Sequence, residues 1–381
     1  MPWNERDAMS LRREFVELAS QPGCNRRDLC RRFGISPKTG YKWLQRFTQS
    51  GVSGLEERSR RPLQSPARST PAIEAAVVAL RQEHPCWGGR KISRRLHDMQ
   101  GSIIAPSTVT EVLRRHALLG QNPAAVSPPW QRFEHAAPNE LWQIDFKGFF
   151  NTPAGPCHPL TLLDDHSRFN LVLAACAQTG FANIQPTLIA TFRRYGLPVR
   201  INADNGAPWG TPRAPETGLS MMTVWLVRLG IRISHSRPYH PQTNGKDERF
   251  HRSFNCEVLA GRSFENLDCA QHAFDHWRTI YNHERPHDAL ALDTPGSRYQ
   301  SSARNYPEGL PQIEYGPNDE VCVPKENGHF RWRGKQFKVS NALKGLPIAL
   351  RPRPTEDGLF DLFFCHHRFG SINLHETKAA T

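Results

Sequence analysis

The sequence predicts an α/β multidomain protein. It has an all-α, basic N-terminal region, a central α/β domain built on a mixed sheet, and a small β-rich C-terminal module. Three observations predict this. Residues 7–118 carry helix-period apolar patterns separated by Gly, Pro and Ser breaks. From residue 141 the pattern changes to short apolar runs, three in hairpin-like order and then alternating with helical segments. After residue 315 only short strands with Gly and Pro turns remain.

At 381 residues the chain is long enough for several domains with proper cores. No stretch approaches the roughly 20 apolar residues of a membrane span, and MPWNERDAMSLRREF lacks the apolar region of a secretory signal. The expected location is therefore the cytoplasm. The nine cysteines are scattered with no CxxC pair, which predicts reduced thiols rather than a zinc site or a disulfide scaffold. His366–His367 beside Cys365 reads as a polar strand end, because no second ligand pair has matching spacing.

The net charge of +13 is uneven. Residues 1–135 hold 22 Lys and Arg against 12 Asp and Glu, residues 136–297 hold 15 against 15, and residues 298–381 hold 12 against 9. A basic first third on a neutral middle points to a polyanion partner, most simply nucleic acid.

In order, residues 7–19 read as an amphipathic helix with Phe15, Val16 and Leu18 apolar. Residues 25–33 form a short helix with Leu29 and Phe33 inward. Gly34-Ile35-Ser36 is a tight turn in which Ser36 caps the next helix and Pro37 takes its first position. Residues 37–49 form that helix, with Tyr41, Leu44 and Phe47 expected on its apolar side. Helix, short Gly-containing turn, helix is the helix-turn-helix pattern, whose second helix enters the major groove. Lys38, Thr39, Lys42 and Arg46 are its candidate DNA contacts; a plain three-helix packing unit is the alternative. This gives a DNA-binding domain over residues 1–50. Residues 51–71 read as a basic linker whose Arg58, Arg60 and Arg61 can follow a phosphate backbone or minor groove. A second helix-turn-helix-like domain follows at 72–120, with helices at 72–84, 90–100 and 107–118, the last capped by Ser107. Residues 121–137 read as another linker.

The central domain spans 138–297, and the C-terminal module, read as β-barrel-like, spans 315–375. LWQIDFKG is a strand, LTLLDDHSRFNLVLAAC two strands joined at Asp164–Ser167, and NIQPTLIATFRRYG a helix. PVRINADNG is a buried strand ending in a turn. ETGLSMMTVWLVRLG and 268–282 are helices, and IRISHS is a strand. Three acids sit at element ends: Asp145 in LWQIDF, Asp204 after VRINA, and Glu248 entering a helix after HPQTNG. Each alone has a structural explanation, since Asp204-Asn205-Gly206 is a good turn and acids favour a helix start. Converging, they form a hard-oxygen set suited to Mg²⁺ or Mn²⁺. Adjacent carboxylates repel unless a cation joins them, and two such ions suit in-line phosphodiester displacement.

LWQIDF, LTLLDDHSRF, INADNG, PYHPQTNGKDERFHRSF and YNHERPHDAL–DTP resemble the DDE transposases of bacterial insertion sequences, whose core is similar to that of retroviral integrases. The resemblance covers 138–297, and the N-terminal pattern more loosely. It implies a ribonuclease H-like core performing DNA strand cleavage and strand transfer with two divalent ions. Asp145, Asp204 and Glu248 carry over as the metal-binding catalytic triad. It also implies terminal inverted repeats and target DNA as partners, a dimer or higher homo-oligomer on paired ends, and a nucleoid-associated protein. Lys246, Arg249 and Arg252 are then expected to meet the DNA backbone, with Arg252 on the face of Glu248. Asp247 is expected in solvent, Asp164 and Asp165 in a structural turn. His240, Gln242 and Asn244 are candidate contacts to DNA ends or members of a structural turn.

The chain departs from the family in two places. Between Asp204 and Glu248 lie 43 residues, more than the family usually keeps, which suggests a surface insertion near GTPRAPETG. Seven residues after Glu248 stands Asn255, where the family often has Lys or Arg. Two rival readings are a DNA-binding regulator on an inactive transposase core and a general ribonuclease H-type nuclease.

Overall fold

The computed structural model describes residues 7–57, 68–119, 134–204, 206–210, 219–235, 245–354 and 356–375. Two units result, residues 1–68 and 69–381. In the first, α1 (Ala8–Ala19), α2 (Arg26–Arg32) and α3 (Pro37–Ser50) surround Phe15, Val16, Ala19, Leu29, Cys30 and Trp43. Asn25 caps α2 by accepting the Asp28 N–H at 3.3 Å, and Ser36 caps α3 by accepting that of Thr39 at 3.2 Å. Gly34 turns the chain between them at φ +64°. Gly40 lets α3 approach closely: a Cβ there would stand 2.6 Å from Cys30 Sγ and 2.8 Å from the Phe15 ring. Two expectations are corrected. Tyr41 is 50% exposed, because the inward face of α3 passes through Gly40 and Trp43 instead. The linker begins later than residue 51, since Gly51–Leu55 forms a 3-10 turn that buries Leu55 in this core.

The second unit opens with α4 (Pro71–Glu83), α5 (Gly89–Gln100) and α6 (Pro106–Arg115), packed around Val77, Trp87, Ile92, Leu96, Val109 and Leu113. Thr70 caps α4. Ser107 does not cap α6: Pro106 already occupies its first turn, and Ala105 stands at the cap without a side-chain bond. Ion pairs Arg90–Asp288 (3.1 Å), Arg94–Asp293 (3.2 Å) and Arg95–Glu284 tie this bundle to the core. So does a disulfide between Cys86 and Cys256, which corrects the expectation that all thiols are free; the other seven cysteines are unpaired.

The core runs β1 (Leu141–Phe146), β2 (Phe150–Thr152), β3 (Gly155–Asp164), β4 (Asn170–Cys176), α7 (Phe181–Tyr195), β5 (Arg200–Ala203), α8 (Met221–Arg228), β6 (Arg232–His235), α9 (Gly245–Phe254) and α10 (Leu267–His283). The sheet order is β2-β3-β1-β5-β6, with β4 on the other edge of β3. β1, β3 and β4 pair antiparallel, whereas β1, β5 and β6 pair parallel. Alternation along the strands feeds two cores. Trp142, Ile144, Leu160, Leu162 and Ile201 face α7 and α8. Cys157, Leu163 and Leu173 face α9 and α10 through Phe250, Phe254, Phe274 and Trp277. This is the ribonuclease H-like architecture. The segment 134–137 belongs to it rather than to a linker: Glu134 pairs with Arg168 at 3.1 Å, and the His135 N–H donates to Asp165 at 3.0 Å. Most of the expected insertion, 211–218, lies outside the described residues.

The C-terminal module comprises β7 (Glu320–Cys322), β8 (His329–Trp332), β9 (Lys335–Lys338), β10 (Ile348–Pro352), β11 (Leu359–Phe364) and β12 (His367–Asn373). It is not one closed barrel. A four-stranded sheet, β12-β11-β10-β7, and a separate β8-β9 hairpin share a core with Val224 and Val227 of α8. His366 lies at the β11–β12 turn and His367 begins β12. No helix among the described residues is long and apolar enough to cross a membrane.

Candidate active site

β1 and β5 place the first two acids. Their parallel register pairs Leu141 with Arg200, Trp142 with Ile201 and Gln143 with Asn202. The same offset continued two residues sets Asp145 level with Asp204, both on the face toward α9. Asp145 lies opposite Thr161 of β3 and accepts the Phe146 N–H at 2.8 Å. Asp204, just past the end of β5, is exposed and accepts the Gly206 N–H at 2.9 Å in the expected turn. Burial, and next the neighbouring Asp204 charge, push the Asp145 carboxyl up to about 6. Both causes favour the protonated, neutral form of Asp145.

Glu248 does not join them. It is exposed on the first turn of α9, and among the described residues no three His, Cys, Asp or Glu side chains are grouped to hold a metal ion. The acid that α9 turns inward is Asp247, 4% exposed, which corrects its expected place in solvent. Asp247, Phe250, His251 and Phe254 fall at i, i+3, i+4 and i+7, so they share one face. Burial first, and then Asp145 and Asp165, raise the Asp247 carboxyl well above the usual range.

Other residues missed from the sequence complete this interface. His251 Nδ1 lies 4.0 Å from Asp145 Oδ2, and its Nε2 is 3.0 Å from Thr161 Oγ1. The Thr161 hydroxyl donates to the Asp145 carbonyl at 3.0 Å, so it accepts from His251. That assignment puts the ring proton on Nε2 and turns the Nδ1 lone pair toward Asp145. Burial, aided by Lys147, lowers His251 to about 4 and keeps the ring neutral. Lys246 is turned inward as well, against the expectation of a backbone contact. Its ammonium pairs with buried Asp165, which also accepts from Gln143 Nε2 at 2.8 Å. Asp164 accepts from the Asn139 and Ser167 N–H groups at 2.7 and 2.8 Å. Both turn acids are thus structural. Arg249 and Arg252 remain exposed beside Glu248, and Asn255 opens a short π-helical turn, Asn255–Leu259.

On the first unit, α3 presents Lys38, Tyr41 and Lys42 to solvent. The Lys42 ammonium and Arg46 guanidinium stand 4.1 and 5.0 Å from the Trp43 ring centroid, and Thr39 is half-buried with its hydroxyl 2.9 Å from that of Ser36. Tyr41 is therefore a surface candidate that its apolar ring concealed in the sequence. Arg58, Arg60, Arg61, His240, Gln242 and Asn244 lie outside the described residues.

Fold and site define an integrase-core protein preceded by helix-turn-helix domains. Integrase core domain models match residues 135–241 and 229–295, a helix-turn-helix domain matches 11–62, and a homeodomain-like domain matches 39–113. The C-terminal domain of IS481 family transposases matches 319–380. By these matches the chain is similar to insertion-sequence transposases with an integrase-type core. Among its relatives is the insertion element IS476 uncharacterized 39.2 kDa protein of Xanthomonas euvesicatoria, 27% identical over 64% of this chain and 69% of that one. Another is the insertion element IS407 uncharacterized 31.7 kDa protein of Burkholderia multivorans, 28% identical over 42% of this chain and 54% of that one. A solved structure of the HTLV-2 integrase catalytic core domain in complex with magnesium aligns at 14% identity and a TM-score of 0.33, covering 43% of this chain and 99% of that one.

Proposed function

We propose that the protein binds the terminal inverted repeats of its element through the N-terminal region and, in the core, cleaves DNA strands and transfers them to target DNA. The observation that carries this reading is the Asp145–Asp204 pair: two carboxylates level on neighbouring strands, one with its pKa raised to about 6 by burial and by the other. Such a pair offers only hard oxygens and suits Mg²⁺ or Mn²⁺, which takes one or two protein carboxylates and completes its shell with water and substrate phosphate. Asp145 and Asp204 would hold the ions, and Glu248 would join from α9. Bound as two ions, the metal would supply activation of the attacking hydroxyl and stabilisation of the leaving oxygen.

The chain's own groups do the rest. Lys38 and Lys42 on α3 meet phosphates and base edges, and Arg249 and Arg252 neutralise the backbone that reaches the acids. Water opens the phosphodiester at the element end, and the freed 3′ hydroxyl then displaces at a target phosphate. The protein works as a dimer or higher homo-oligomer on paired ends. The test is joining of end DNA to target with Mg²⁺. Asp145→Asn, Asp204→Asn and Glu248→Gln are each expected to abolish joining, and wild-type joining by all three would refute the assignment.

A regulator on an inactive core is the second reading, favoured by Glu248 standing outside the acid pair. It predicts metal-independent binding of end DNA with no cleavage at any metal concentration.

A further inference from the structure

We propose that Asp165 is a positioning residue for strand joining: through Lys246 it docks the first turn of α9, which carries Glu248, beside the strand that carries Asp145. This rests on the metal-dependent reading above. Asp164 holds the β3–β4 turn, accepting from the Ser167 N–H and hydroxyl at 2.8 and 2.6 Å and from the Asn139 N–H at 2.7 Å. The Asp165 carboxylate instead reaches three other segments. Its Oδ2 accepts from the His135 N–H at 3.0 Å. Its Oδ1 accepts from Gln143 Nε2 at 2.8 Å and from the Lys246 ammonium, which also lies 3.4 Å from the Asp165 carbonyl oxygen. An ionised carboxylate is acceptor-only, which matches three converging donors; an amide would set a donor against at least one of them.

Sequence position gives the contact its consequence. Gln143 stands two residues before Asp145 on β1 and shares its face. Lys246 stands two residues before Glu248 on α9. One buried carboxylate therefore joins the strand and the helix that bring two of the three acids. Phe250 and Phe254 anchor α9 from its second turn onward, and Lys246 ties down the first. Glu248 lies about 200° round the helix from Lys246, so the tie holds this turn without occupying the side of Glu248. The side chains of Asp165 and Lys246 are 1% and 19% exposed. A charge-assisted bond so shielded from water is strong, and removing one member strands the other charge. A misplacement of about 1 Å at a reacting centre costs about 100-fold in rate, which is the lever this strut controls.

The experiment measures, on the full-length protein well below its Tm, the rate of joining at saturating end DNA against Mg²⁺ concentration, and beside it the affinity for end DNA at several salt concentrations. Lys246→Met keeps the length of the side chain and removes its charge. It is expected to slow joining about 100-fold and to raise the Mg²⁺ concentration needed for half the maximal rate, with end-DNA affinity and its salt slope as in wild type. Lys246→Arg, which can still reach Asp165, is expected to restore most of the rate. Asp165→Asn should match Lys246→Met, and the double variant should be no slower than the slower single, because both changes remove one interaction. The double variant leaves no stranded charge, so it decides the matter should either single fold poorly. Joining at the wild-type rate and wild-type Mg²⁺ dependence by the folded double variant would overturn the proposal. So would a salt slope lowered by about one in Lys246→Met, which would make Lys246 a phosphate contact instead. If the wild-type protein joins no end DNA at any Mg²⁺ concentration, the metal-dependent reading itself fails, and the positioning role falls with it.

Discussion

Asp145 and His251 face each other with pKa shifts that act oppositely on stability. Folded Asp145 titrates at about 6 against an ordinary 3.8, so the folded state holds its proton more tightly. The stability this gives is full below about pH 4 and is lost as pH rises through 6. Folded His251 titrates at about 4 against 6.5, so its contribution is present above pH 6.5 and is lost as pH falls toward 4. In the metal-free protein the two slopes oppose each other across the same window. Asp145→Asn should therefore leave a Tm that falls more steeply on acidification from pH 6.5 to 4. His251→Gln, which keeps a donor for Thr161, should leave one that falls less or rises. Thermal melts across that range decide it; parallel curves for wild type and both variants would sink the coupling. Neither shift is legible in sequence. LWQIDF announces an acid in a strand, but only the folded register brings Thr161 and His251 against it.

At the scale of elements, the turn after α9 is held by a buried ion pair. Arg285 Nε donates to Glu257 Oε1 at 2.9 Å with both side chains under a tenth exposed, and Trp277 Nε1 donates to the other oxygen at 2.8 Å. Glu257→Ala strands a buried guanidinium and should cost about 3–5 kcal/mol, read as a lower urea midpoint at unchanged slope. Gly40→Ala should destabilise the first unit, because the added methyl meets Cys30 and the rigid Phe15 ring closer than van der Waals contact allows; a Tm equal to wild type for that unit's transition would contradict the close packing. The strands and long helices of the core are legible because each obeys one period: Phe250 and Phe254 on α9, Ile184, Leu188 and Phe192 on α7. Asp247 obeys the same period, at i−3 from Phe250, yet its charge points to solvent while its position points inward, and position wins. Tyr41 misleads in the opposite sense: its aromatic ring suggests the core, although Gly40 and Trp43 define the inner face. The Cys86–Cys256 link is invisible in sequence, since its partners stand 170 residues apart with no local pattern. The Asp145–Asp204 pair is legible because both acids close short apolar strands, and strand ends of a parallel pair lie side by side.

Across the whole molecule, charge and chemistry are segregated: the basic excess lies in the first third, where residues 1–135 carry 22 Lys and Arg against 12 Asp and Glu, and the acids that would hold metal lie in the neutral middle. If binding and joining are separable on this plan, they respond to different variants and to different solution conditions. Removing one cation that neutralises a phosphate should flatten the plot of log K against log salt by about 0.9. Lys42→Ala removes one exposed cation of α3 and should weaken end-DNA binding at low salt, lowering that slope by about one. Asp145→Asn removes no cation and relieves repulsion of phosphate. It should therefore bind end DNA at least as tightly as wild type, with an unchanged slope, while joining is abolished. Filter-binding or anisotropy titrations at several salt concentrations, run beside the joining assay, measure both. A fall in binding for Asp145→Asn as large as that for Lys42→Ala would mean that the core, and not the N-terminal region, holds the DNA.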